Sequence, residues 1–227
     1  VRDEKPRVKK ITEEQKGNAS MKKLMGFAMI LVISGNALAG TVPAKGNNAT
    51  IVIGKSIGSV PWPRNSTDLI HSFGSAKVNE TKVPMGEGGF VKGSVVFPKD
   101  KDKEIQIVWG SSGIERMIVR SAFWKFGTGV RVGATLKDVQ SLNGRPFKLY
   151  GLGWDYGGTT SAWEGGSLDG PFEKSEGYRA LLRFEGQRNK MKKLRKILGE
   201  TLFSSDHAEF QTLNPLVYEI LVISKSP

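Results

Sequence analysis

The chain has 227 residues, no cysteine, two histidines and a formal net charge of +12. Without cysteine there are no disulfide staples, and two histidines alone cannot supply a four-ligand structural zinc site, so the fold must rest on an apolar core. Residues 1–39 hold eight Lys and Arg against four Asp and Glu, which leaves 26 against 18 (+8) for residues 40–227. Most of that excess sits in one segment and is not the spread basic surface of a nucleic-acid-binding protein.

Residues 1–20 mix six basic and four acidic side chains with almost nothing apolar, the composition of an upstream disordered segment. From Met21 the pattern changes. Lys22 and Lys23 lead into the uncharged run Leu24–Ser34, then Gly35-Asn36, then Ala37-Leu38-Ala39. A basic start, a short apolar stretch and an Ala-x-Ala site form a secretory signal peptide over residues 21–39. The run falls short of the roughly 20 apolar residues that span a bilayer, and no later stretch is long enough, so no integral membrane protein is expected. The expected product is an exported protein, periplasmic or secreted, with one α+β domain over residues 40–227. Gly40 and Thr41 stand where a lipid-anchored protein needs cysteine, so no lipid anchor is expected.

Within that domain, brief runs of Val, Ile, Phe and Tyr between glycine-rich turns predict strands near 50–54, 76–83, 93–97, 104–109, 115–121, 129–132, 146–151, 152–156, 178–185 and 216–223. Ile105, Ile107 and Trp109 alternate most regularly, and the charged turn Pro98–Asp102 makes a hairpin of strands 93–97 and 104–109. Helices are few and short. Thr135 and Asp138 have the spacing of a capping box, with Val139 and Leu142 as an apolar edge and Asn143-Gly144 as the stop. The segment Ser66–Gly74 repeats that logic with Leu69, Ile70 and Phe73 inward. Each helix follows a strand ending in glycine and precedes another strand, which suggests a diverged strand-helix-strand repeat. The fold class is therefore α+β, mainly antiparallel sheet with two or three short helices.

The runs Gly129–Leu136, Leu142–Phe147 and Gly151–Gly158, with Ser204-Ser205-Asp206 and Leu213-Asn214-Pro215, resemble a group of uncharacterised exported bacterial proteins. The resemblance covers most of residues 40–227 and implies export and a single domain, with no assigned activity and no functional residues to carry over. The strand-helix-glycine-strand units also look like small envelope proteins and secreted β-lactamase-inhibitor-type modules, which favours binding over catalysis.

Two surfaces follow from the residues. Gly153–Gly166 reads as a glycine-flanked hairpin turning at 157–160, with Trp154 opposite Trp163 on one face. Asp155 and Glu164 then lie diagonally on the other face, about 7–8 Å apart. The aromatics Trp154, Tyr156 and Trp163, with Asp155, form a ligand-binding surface for a glycan or a partner protein of the cell envelope. The alternative is a carbohydrate-active hydrolase using Asp155 and Glu164 as its carboxylate pair. The second surface is the basic helix 188–198, with Met191, Leu194, Ile197 and Leu198 docked and Arg188, Lys190, Lys192, Lys193, Arg195 and Lys196 turned to anionic surfaces.

Other patterns fall short. Gly110-Ser111-Ser112-Gly113 lacks the last glycine of a nucleophile elbow, and His207 beside Ser204, Ser205 and Asp206 reads as a polar turn. No cofactor, metal or nucleic acid is expected, and binding is the expected mode of action.

Overall fold

The computed structural model describes residues 48–85, 88–175, 177–186 and 195–225, and everything below concerns these. The segment 21–39 expected to be a signal peptide, the upstream residues 1–20 and the greater part of the basic segment lie outside them. Contacts group Ala44–Pro227 into one unit, to which all described residues belong.

The chain forms strands β1 (Thr50–Val52), β2 (Ser56–Ile57) and β3 (Val60–Pro61), then helix α1 (Ser66–Phe73). A meander follows through β4 (Val78–Pro84), β5 (Phe90–Val96), β6 (Ile105–Gly110) and β7 (Gly113–Val119). After β8 (Lys125–Phe126) come α2 (Leu136–Asn143), β9 (Lys148–Tyr150), β10 (Thr160–Ala162) and β11 (Tyr178–Glu185). The last elements are β12 (Leu202–Ser204), α3 (Ala208–Leu213) and β13 (Leu216–Ser224). The fold is α+β and mainly antiparallel.

Six strands form the principal sheet in the order β11-β13-β7-β6-β5-β4, every neighbour antiparallel. The expected hairpin is β5–β6, with Gly93 opposite Val108 and Val96 opposite Ile105. Strand alternation sends Ile105, Ile107, Met117, Val119, Ile220 and Val222 into the main core. The intervening Val83, Val95, Val108 and Ile118 form a smaller cluster of their own. Small sheets β3-β2-β1-β8 and β10-β9-β12 complete the structure, and Phe126, Phe147, Trp163, Phe172 and Phe184 fill the main core. Each of these rings meets another at 5.3–5.9 Å between centroids, the range in which aromatic pairs attract.

Helices α1 and α2 start for local chemical reasons. In α2 the Asp138 amide donates to Thr135 Oγ1 at 3.1 Å, and the Thr135 amide donates to Asp138 Oδ2 at 2.9 Å. That is the capping box expected from the sequence, and Gly144 closes the helix in the left-handed region at φ 75°. In α1 the cap is Asn65, one residue ahead of the serine that opens the helix; its side chain accepts from the Asp68 amide at 2.8 Å. Leu69 is buried, as its inward position requires.

The strand-helix-strand succession does recur, and β1 lies parallel to β8 with Ile51 beside Phe126. The strands after the two helices enter different sheets, however: β4 at an edge of the large one, β9 at the centre of a small one. The strand expected at 129–132 is reduced to a single bridge from Arg131 to Lys125, because Gly129 turns the chain at φ 94°. Among the described residues no helix is long and apolar enough to cross a membrane.

Candidate functional site

The expected hairpin over residues 153–166 does not form. Strand β10 pairs with β9, Thr160 opposite Leu149 and Ala162 opposite Lys148, and residues 153–157 make a tight turn closed by the Gly157 amide donating to the Trp154 carbonyl at 2.9 Å. Trp154 therefore has no cross-strand partner in Trp163, and Asp155 is not the diagonal neighbour of Glu164. Trp163 is 2 % exposed and packs on Phe147 and Phe172, so it belongs to the core and not to a ligand surface. Glu164 occupies a separate turn at φ 55°, where the Gly166 amide donates to the Trp163 carbonyl.

The physical reason lies in backbone bonds that reach across the sequence. The Leu152 amide donates to the Ile197 carbonyl at 2.7 Å, the Gly151 amide to Thr201 and the Gly199 amide to Leu152, so this stretch is held by the 197–201 segment. Gly158 then passes so close to β11 that a Cβ there would meet the Phe184 carbonyl oxygen at 2.1 Å. Its φ of 71° suits glycine alone, and the Phe184 amide donates to its carbonyl at 3.0 Å.

What this turn builds is a cleft of about 430 Å³, lined by Gly153, Trp154, Asp155, Phe184, Glu185 and Tyr218 among others. Asp155 lines it and Glu164 does not, so the two carboxylates do not share one cleft. Trp154 is half-buried, its indole N–H donating to the Gly151 carbonyl at 3.0 Å. Tyr150 and Tyr156 meet its ring edge to face at 5.8 and 5.5 Å, and Tyr156 is 55 % exposed.

An ion network ties this turn to the principal sheet. Glu219 on β13 is 2 % exposed and accepts from Arg183 on β11 at 3.0 Å and from Arg120 at 2.5 Å. Two guanidiniums hold a buried carboxylate that would otherwise be strongly unfavourable. Arg183 also donates to the Asp155 carbonyl and places its guanidinium 5.3 Å from the centre of the Tyr218 ring. Burial raises the pKa of the Tyr218 hydroxyl above its ordinary value, a shift opposed by the nearby Arg183, so it stays protonated and able to donate at neutral pH.

Sequence reasoning placed Trp154, Asp155 and Tyr156 at this site but missed Arg183, Glu185, Tyr218 and Glu219. The available signal was charge inside apolar strands: Arg183 and Glu185 flank Phe184, and Glu219 precedes Ile220.

Of the basic segment, Arg188, Lys190, Lys192 and Lys193 lie outside the described residues. Arg195–Ile197 forms one 3-10 turn in which Lys196 is exposed and Ile197 is buried. Leu198, expected to dock, is 40 % exposed.

His207 caps α3, its Nδ1 accepting from the Glu209 amide at 3.3 Å, and its ring lies edge to face with Phe203. Ser205 Oγ accepts from the Phe147 amide and donates to Gln140 Oε1 at 2.7 Å. These are structural duties. Among the described residues no group of three or more His, Asp or Glu is placed to hold a metal ion.

No family model matches the chain, and no curated protein matches it either. Among solved structures, the uncharacterized protein yfeY from Escherichia coli is similar at 18 % identity, covering 74 % of this chain and 96 % of its own, with a TM-score of 0.41. Likeness at that level carries no argument about function.

Proposed function

We propose that the chain is an exported binding protein whose ligand surface is the cleft at residues 151–157, and that the ligand is a glycan of the cell envelope. Export is supported by the coincidence of Lys22-Lys23, the apolar run and Ala37-Leu38-Ala39 in the sequence. The observation that carries the binding reading is that two aromatic side chains, Trp154 and Tyr218, line a cleft with Asp155 and Glu185, while Tyr150 and Tyr156 pack on the Trp154 ring and set its position.

The apolar face of a sugar ring stacks on aromatic rings, while its hydroxyls donate to carboxylates and accept from a tyrosine O–H. The tie from Arg183 to the Asp155 carbonyl fixes the turn before any ligand arrives, which lowers the ordering cost of binding. With Glu164 outside the cleft, a hydrolase working through the Asp155 and Glu164 pair has no observation in its favour.

The test is an array of envelope oligosaccharides probed with the full chain and with Tyr156→Ala and Trp154→Leu. The expected result is a glycan signal that falls at least about tenfold in both variants, the scale set by about 1.4 kcal/mol of lost contact. No signal above background, or equal binding by all three proteins, would refute the proposal.

A further inference from the structure

A second cleft, of about 380 Å³, opens elsewhere on the molecule between α1 and the β5–β6 turn. Its apolar wall is aromatic: Phe73, Phe97, Phe123 and Trp124. Phe97 meets Phe73 edge to face at 5.7 Å and lies 6.3 Å from Trp124, which Phe123 meets at 5.0 Å. The Trp124 indole N–H is satisfied internally, donating to the Lys103 carbonyl at 2.9 Å, so that ring presents only carbon to the cleft.

Two ammonium groups stand at this wall. Lys77 Nζ lies 5.9 Å from the centre of the Phe97 ring, and Lys103 Nζ lies 5.4 Å from that of Phe123. Lys103 is neutralised by Asp100 at 2.8 Å. Among the described residues Lys77 has no carboxylate within ion-pair distance, so the cleft holds an excess of one positive charge.

Phe97 also occupies the left-handed region at φ 56°, a conformation that a bulky residue seldom adopts. Two backbone bonds hold it there: its amide donates to the Lys77 carbonyl at 2.7 Å, and its carbonyl accepts from the Asp100 amide at 2.9 Å. Such strain persists where the surroundings impose it, and it is concentrated at ligand sites. Here its effect is to hold an aromatic ring in the wall between the two lysines' elements.

From the carbon wall and the unpaired cation we infer that this cleft binds a small carboxylate with an apolar body, its tail against the Phe97 and Trp124 rings and its carboxylate on Lys77. The dimensions fall within the range of small-molecule sites, and the lining sets the aromatic wall against Asn48, Ser59, Ser72 and the charged Lys77, Asp100 and Lys103, the polar groups that fix a ligand's orientation. A charge-assisted bond to Lys77 fixes orientation, and the aromatic wall supplies the affinity. The inference is independent of the glycan reading, which concerns the other cleft.

The experiment is calorimetric titration of the full chain with decanoate, decanol and decyltrimethylammonium, three probes with the same tail and different head charges. Decanoate is expected to bind one to one, at least tenfold more tightly than decanol, with decyltrimethylammonium weakest. Lys77 is exposed, so Lys77→Gln keeps the fold and is expected to bring decanoate down to the affinity of decanol. Decanoate binding no tighter than decanol in the native chain, or unchanged in Lys77→Gln, overturns the inference.

Discussion

The end of α2 and the turn at 153–157 are both glycine-rich, both follow soon after regular structure and both carry tryptophan nearby, yet they spend their side chains in opposite ways. At the first, Asn143 is 1 % exposed and every polar atom of its side chain is used. Its amide donates to the carbonyls of Arg145 and Trp163 at 3.0 and 3.1 Å, and its oxygen accepts from the Leu168 amide at 3.1 Å. One side chain thus stitches the helix end to the 163–168 loop and holds Trp163 inside. At the second, the backbone makes the long-range bonds and the side chains are left outward, with Trp154 half-buried and Tyr156 largely in solvent. A loop closed by a buried side chain is scaffold. A loop held mainly through backbone bonds keeps ring surface, here of Trp154 and Tyr156, at the solvent boundary.

That contrast is open to direct attack by mutation. Asn143→Ala leaves the buried Leu168 N–H without a partner and removes one donor each from the Arg145 and Trp163 carbonyls, the latter keeping the Gly166 amide, so the expected loss of stability is about 1–3 kcal/mol in chemical denaturation. A loss under about 1 kcal/mol would show that water or a shifted backbone replaces the side chain.

Thr135→Ala, at the other end of the same helix, is expected to cost about 1 kcal/mol, a fall of about 2–4 °C in Tm. The same cap has a pH signature. Bonds from the Thr135 amide and then its hydroxyl hold the Asp138 carboxyl below its ordinary value. A depressed carboxylate stabilises the fold above its unfolded pKa of about 3.9 and loses that contribution as the pH falls through the lowered value. The stability gap between the native chain and Asp138→Asn is therefore expected to narrow below about pH 4; a gap constant across that range contradicts the capping account.

The smallest effect falls in the other region. Tyr156→Ala removes an exposed ring and is expected to change stability by no more than about 0.5 kcal/mol. A loss comparable to that of Asn143→Ala would make the turn scaffold after all.

Legibility in the sequence follows the range of the interactions. The α2 box is four residues long and chemically self-contained, so Thr135 and Asp138 announce it. Hairpin β5–β6 is nearly as local, its charged turn lying between two alternating runs. The turn at 153–157 reads in the sequence as half of a hairpin because Trp154 and Tyr156 alternate as strand residues do and a glycine turn sets Trp154 against Trp163, while the backbone obeys bonds to residues 197 and 201 that no local pattern reveals. Tyr218 reaches the cleft only because β11 and β13 shift register between Arg183 and Phe184, pairing Arg183 with Glu219 but Phe184 with Val217. Bulges of this kind re-aim a side chain without leaving a trace in composition.

The five tryptophan indole N–H signals in a nitrogen-edited NMR spectrum read the two regions at once. On titration with an envelope oligosaccharide selected by array, the Trp154 signal is expected to shift and saturate while that of the buried Trp163 stays in place. A spectrum in which Trp154 does not respond, or in which Trp163 moves as far, contradicts the assignment of the 151–157 cleft as the ligand surface.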